Sequence, residues 1–159
     1  MAIVKVDISD MQVSNRTDDV LVTYALGSCI AVVLYDPVRK VGGMIHYQLP
    51  LSKVNPNKAT ERPGMFADTG VPLLFERVYL LGGVKQSLVV KVAGGGQLCD
   101  DNGTFEIGKR NYTMLRKMLW KNNVMIAAED VGGHKSRTVR LYLDTGRVTV
   151  NSQREETEL

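Results

Sequence analysis

The sequence predicts an α/β (α+β) layered sandwich with a mixed β-sheet, formed by a single domain over residues 1–159. Three observations carry that expectation. Extended segments outnumber helical ones, hairpin signals alternate with helical crossovers, and CIAVVLYD (29–36) is a nearly unbroken apolar run, as expected of a strand covered on both faces. Hydrophobic residues make up 44% and charged residues 23% of the chain, which suits a packed core and excludes a disordered polymer.

In chain order, IVKVDIS (3–9) and DVLVTYA (19–25) read as strands through alternation and β-branching. CIAVVLYD and VGGMIHYQL (41–49) flank a turn begun by Asp36-Pro37, so 29–49 is expected to be a hairpin. The proline-rich, polar stretch 50–64 reads as an exposed binding loop. A helix follows, capped by Asp68 or Thr69 with Pro72 in its first turn. Its apolar stripe is Val71, Leu74, Phe75 and Val78, and Gly82-Gly83 ends it. SLVVKVA (87–93) is a buried strand leading into Gly94-Gly95-Gly96. A second helix is expected over 109–121, burying Met114, Leu115, Met118 and Leu119. VMIAAEDV (124–131) is a strand, and TVRLYL with RVTVN forms a last hairpin about Asp144-Thr145-Gly146.

Several function classes are disfavoured. The net charge of +3 is modest and the basic residues are scattered along the chain, so no nucleic-acid stripe is expected. No run approaches the roughly 20 apolar residues of a membrane span, and the N-terminus lacks a secretory pattern. Two cysteines do not make a disulfide scaffold, so a cytoplasmic protein with reduced thiols is expected. Cys29, Cys99, His46 and His134 have no ligand-like spacing, so no metal is expected. The glycine triplet lacks both phosphate-loop spacings, so no nucleotide cofactor is expected; close backbone packing or an open cleft explains it better.

One pair stands out. With the hairpin centred near Pro37–Val38, residue i lies opposite residue 76−i, so Cys29 falls opposite His46 or Tyr47. Directly opposed side chains in an antiparallel pair have Cβ atoms about 4.5–5.5 Å apart, which brings a thiol within reach of an imidazole base. The Gly27-Ser28 turn before the thiol exposes it and turns backbone N–H groups outward, where an oxyanion or bound substrate needs them. The bland alternatives are a core thiol, a satisfied strand histidine, and a register slip that separates the two faces. Cys99 has no nearby histidine and reads as structural, and His134 as a loop residue exposed to solvent or ligand.

The ordered blocks LGSCIAVVLYD (26–36), GGMIHYQLP (42–50), FADTGVPLLFERVYLLGG (66–83), VKVAGGG (90–96), IGKRN (107–111) and the DVGGHKSR…TGRVTV end resemble the chemoreceptor glutamine deamidase family, CheD. The resemblance implies a fold similar to the catalytic domain of cytotoxic necrotizing factors, and a Cys29–His46–Thr23 triad in which Thr23 orients the base. It implies protein-glutamine deamidation of methyl-accepting chemoreceptor cytoplasmic domains, a role in chemotaxis adaptation, and, for some members, a CheC-type phosphatase partner. Two blocks depart from the family pattern: Ala93-Gly94-Gly95-Gly96 where Phe-Gly-Gly-Ala is usual, and Ser136 where glycine is usual. The departures bear on the shape of the substrate cleft. The competing reading is a non-catalytic docking module that regulates such a phosphatase.

Overall fold

A computed structural model describes residues 1–97 and 106–159. Its strands are β1 (Ala2–Lys5), β2 (Asp10–Ser14), β3 (Asp19–Leu26), β4 (Ile30–Asp36), β5 (Val41–Tyr47), β6 (Val89–Gly94), β7 (Ala128–Val131), β8 (Arg137–Tyr142), β9 (Val148–Ser152) and β10 (Glu155–Glu158). The helices are α1 (Pro56–Glu61), α2 (Ala67–Leu80) and α3 (Ile107–Lys121). Two five-stranded mixed sheets form, in the orders β1-β3-β8-β9-β10 and β2-β5-β4-β6-β7. They stack face to face, and the second is covered on its far side by α2 and α3, so the expected α+β layered sandwich has three layers.

β4 explains its own sequence. Ile30, Val32 and Leu34 face the helices with Ile45, Tyr47, Leu74 and Leu115, whereas Ala31, Val33 and Tyr35 face the other sheet with Leu21, Val139 and Leu141. Every residue of the strand is buried, so no polar alternation survives. Gly43 on β5 lets α2 come close: a Cβ there would lie 2.8 Å from Val13 and 3.0 Å from Leu74.

The 29–49 hairpin forms with a different register. The pairs Ile30↔Tyr47 to Asp36↔Val41 each sum to 77, where 76 was expected. The cause is the turn, whose loop is the four residues 37–40, an even number. The buried Asp36 carboxylate holds it by accepting from the amides of Val38 (3.0 Å), Arg39 (3.1 Å) and Val84 (3.0 Å). Burial opposes charge on this group, yet these hydrogen bonds and the Arg39 guanidinium hold its carboxyl below the usual range.

Other expectations need correction. The expected 3–9 strand shortens to β1, which pairs in parallel with β3 in one sheet, and β2, over 10–14 where no strand was expected, pairs with β5 in the other. The 50–64 loop contains α1, capped by Asn55 accepting from the Lys58 amide. α2 begins earlier than expected, at Ala67. Asp68 accepts from the backbone and hydroxyl of Ser52 instead of capping, the Thr69 hydroxyl donates to Pro63, and Pro72 lies in the helix interior. Its C-terminal glycines behave as expected: Gly82 takes a left-handed φ of 108°, and the Gly83 amide returns to the Val78 carbonyl at 3.0 Å. The 124–131 strand shortens to β7, which pairs in parallel with β6, and the acidic tail supplies β10. Among the described residues no helix is long and apolar enough to cross a membrane.

Candidate active site

His46 lies on β5 between Ala31 of β4 and Asp10 of β2, and its carbonyl accepts the Ser9 amide at 2.8 Å. It is 3% exposed, on the side of the sheet that faces β3. There the Thr23 hydroxyl, fully buried, lies 2.7 Å from His46 Nδ1 and 2.7 Å from the Val6 carbonyl.

These two contacts decide the tautomer. A hydroxyl has one proton, and a carbonyl can only accept. Thr23 must therefore donate to Val6 and accept from Nδ1–H. That leaves His46 Nε2 with its lone pair, buried and without a hydrogen-bond partner among the described residues. An imidazole arranged this way is ready to accept a proton at Nε2.

Cys29 sits in the turn just before β4, half-buried against the cluster between the sheets. Continuing the register places it opposite Gln48 (77 − 29 = 48), so His46 is its diagonal neighbour on the same face. Diagonal neighbours have Cα atoms about 7–8 Å apart, farther than the directly opposed pair expected from the sequence. No hydrogen bond joins the thiol to Nε2. The one-residue change in register did not separate the faces, because the opposed partner moved from Tyr47 to Gln48.

Electrostatics favour a neutral pair at rest. Burial pushes the Cys29 thiol up from 9.0 to about 11, opposed by its own backbone amide. Burial likewise pushes His46 down from 6.5 to about 4, opposed by the Asp7 carboxylate. The rate of iodoacetamide capture at Cys29 is thus expected to climb about tenfold per pH unit through neutrality and to keep rising beyond pH 9. A plateau already reached at pH 6 would mean a preformed thiolate–imidazolium pair. His46 also links folding to pH. Its proton is bound in the unfolded chain below pH 6.5 and in the folded chain only below about 4. The contribution of neutral His46 is present above 6.5 and lost as pH falls towards 4, by about 3 kcal/mol in denaturant titrations. His46→Gln should remove that slope.

The Gly27-Ser28 turn is held from behind. The Gly96 amide donates to Gly27 O (2.9 Å), the Gly95 amide to Cys29 O (2.8 Å), and Asn111 Nδ2 to Ser28 O (3.0 Å). All three carbonyls are thereby committed. Among the described residues neither the Ser28 nor the Cys29 amide donates to another residue. The glycine triplet serves close packing: a Cβ on Gly94 would lie 2.3 Å from the Cys29 carbonyl oxygen. Of the family departures in this block, Gly96 touches the Cys29 turn, through its amide bond to Gly27 O. Behind these glycines Arg137, 1% exposed, donates to Gly94 O (3.3 Å), Gly132 O (2.8 Å) and Asp130 (3.2 Å).

His134 is exposed, with Nδ1 2.8 Å from the Gln97 carbonyl, in keeping with its reading as a loop residue. Cys99 lies outside the described residues. Sequence reasoning missed Val6, Asn111 and Arg137. Asn111 had a signal, because it lies four and eight residues before Leu115 and Leu119 on the buried stripe of α3.

Fold and site together define an α+β sandwich with a thiol, an imidazole and a hydroxyl gathered at the meeting of its two sheets. The family model described as CheD chemotactic sensory transduction matches residues 48–152. Over 152 residues the chain is 58% identical to a probable chemoreceptor glutamine deamidase CheD of Syntrophus aciditrophicus, covering 96% of this chain and 95% of that protein. It is 53% identical to one from Anaeromyxobacter dehalogenans, covering 96% of each. A third, from Methanococcus vannielii, is 38% identical over 96% of this chain and 97% of that protein. The chain belongs to the CheD family.

Proposed function

We propose that this protein is a chemoreceptor glutamine deamidase that converts glutamine side chains of methyl-accepting receptors to glutamate. One observation carries the reading beyond family names: Thr23 and Val6 commit His46 to the Nδ1–H tautomer, leaving a free Nε2 on the face that also carries Cys29. A structural histidine in a strand would have both nitrogens satisfied.

With the thiol protonated at rest, proton transfer accompanies attack. Cys29 Sγ forms a bond to the carboxamide carbon as His46 Nε2 takes its proton, and the C=O electrons move onto oxygen. The Ser28 and Cys29 amides receive that oxyanion, and Gly27 keeps the approach open. The imidazolium then protonates the nitrogen, ammonia leaves, and a thioester remains. Water, losing a proton to His46, attacks the thioester and releases glutamate and the thiol. Thr23 holds the ring throughout as a neutral orienter. The residues supply this without a cofactor.

The receptor's cytoplasmic domain is the macromolecular partner, and a CheC-type phosphatase is a further one by family resemblance. The raised thiol favours the second reading, a docking module that only regulates such a phosphatase. Mass spectrometry of a receptor cytoplasmic fragment separates them. Wild type is expected to give the amide-to-acid mass increase and free ammonia at defined glutamines, and Cys29→Ala neither. Equal conversion by Cys29→Ala would remove the cysteine from the chemistry.

A further inference from the structure

The net charge of +3 conceals an uneven distribution. α3 carries Lys109, Arg110, Arg116, Lys117 and Lys121 and no acidic residue. The rest of the chain has 20 − 5 = 15 cations against 17 anions, a net of −2. The basic residues are therefore less scattered than expected: the contiguous segment 107–121 holds the excess, and it folds as one helix. Asn111, Leu115 and Leu119 turn one side of α3 inward, so Arg110, Lys117 and Lys121 line the opposite side. Lys109, Arg110, Lys117 and Lys121 form no ion pair among the described residues. Arg116 bonds to Tyr112 Oη at 3.3 Å.

The same face is apolar at its far end. Trp120, the only tryptophan in the chain, is 79% exposed and Met125 86%. With Arg116, Leu119, Val124 and Ile126 they line a shallow groove of about 320 Å³, with Glu129 at one edge. The N-terminal end of α3 adjoins the Cys29 turn, where the inward-facing Asn111 Nδ2 donates to the Ser28 carbonyl. Asn111 to Lys121 is ten residues, or about 15 Å of helix rise.

We propose that the exposed face of α3 is the surface on which substrate docks, and that its occupant is an acidic α-helix of the receptor bundle. The helix lies along α3, so that its target glutamine reaches the Cys29 turn. The inference rests on the reading of this chain as a chemoreceptor deamidase. A helix rich in glutamate and glutamine complements four cations that have no ion pair among the described residues, and its apolar seam gives Trp120 and Met125 something to cover. Opposite charge speeds encounter, and the aromatic anchor holds the complex. A phosphate polymer or lipid surface fits less well, because beyond these 15 Å it meets a net-negative protein.

Trp120 is its own probe. A tryptophan-free cytoplasmic fragment of a methyl-accepting chemoreceptor is expected to shift Trp120 emission to the blue, with affinity falling as salt rises. Lys117→Glu/Lys121→Glu should weaken binding and raise KM for fragment deamidation about tenfold or more, leaving kcat within about twofold, since neither lysine adjoins Cys29. An unmoved emission, or an unchanged KM in the double variant, overturns the proposal. So does tighter, equally charge-sensitive binding of duplex DNA or phosphatidylglycerol vesicles. Failure of the underlying reading looks different: wild type leaves the fragment's mass unchanged, while Trp120 emission still decides whether α3 is the docking face.

Discussion

His46→Ala is expected to lower glutamine deamidation by about 10²–10⁴-fold, the range for loss of a general base. Burial pushes the thiol up to about 11, so its ionisation at neutral pH needs a base, and His46 Nε2 is a buried acceptor without a partner among the described residues on its face. The rate is best read in single turnover, with ammonia and acylated Cys29 measured together. Adding base by raising the pH should recover part of the loss, because it makes the thiolate directly. Thr23→Val should act in the same direction but less, by about 5–10-fold, in keeping with roughly 1 kcal/mol for one hydrogen bond. It keeps the packing while freeing His46 to adopt the other tautomer, and Thr23→Ser should restore the rate. Equal losses for His46→Ala and Thr23→Val would mean that the hydroxyl takes a direct part in the reaction.

Arg137→Met is expected to cost about 3 kcal/mol of stability in denaturant titrations, the scale for removing one partner of a buried pair. The guanidinium is 1% exposed, and its loss leaves the Gly94 and Gly132 carbonyls without these donors and Asp130 without its buried partner. Activity should fall beyond the loss of folded protein, because Gly94 and Gly95 back the Cys29 carbonyl. A variant as stable as wild type would show that the turn holds itself.

Local pattern made much of this molecule legible. The α2 and α3 stripes, the unbroken apolar run of β4 and the glycine stop after α2 follow from periods and backbone freedom that neighbouring residues determine. β2 and β10 escaped notice because DMQVS and EETE owe their pairing to a partner strand more than to their own propensity. The register escaped because the Asp36 hydrogen bonds, one of them from Val84, choose a four-residue loop. Thr23 was visible only through family resemblance, since nothing near it in sequence distinguishes it from another strand threonine.

By itself the sequence determined the layered α+β class, the 29–49 hairpin, and the family, because each rests on residues close together in the chain or on ordered motifs. Tertiary structure alone decided the register that sets Cys29 and His46 on one face, the protonation site of His46, and the holding of the Cys29 turn by Asn111. Hydrogen bonds between separate sheets and burial set by whole layers depend on distances that no local pattern encodes.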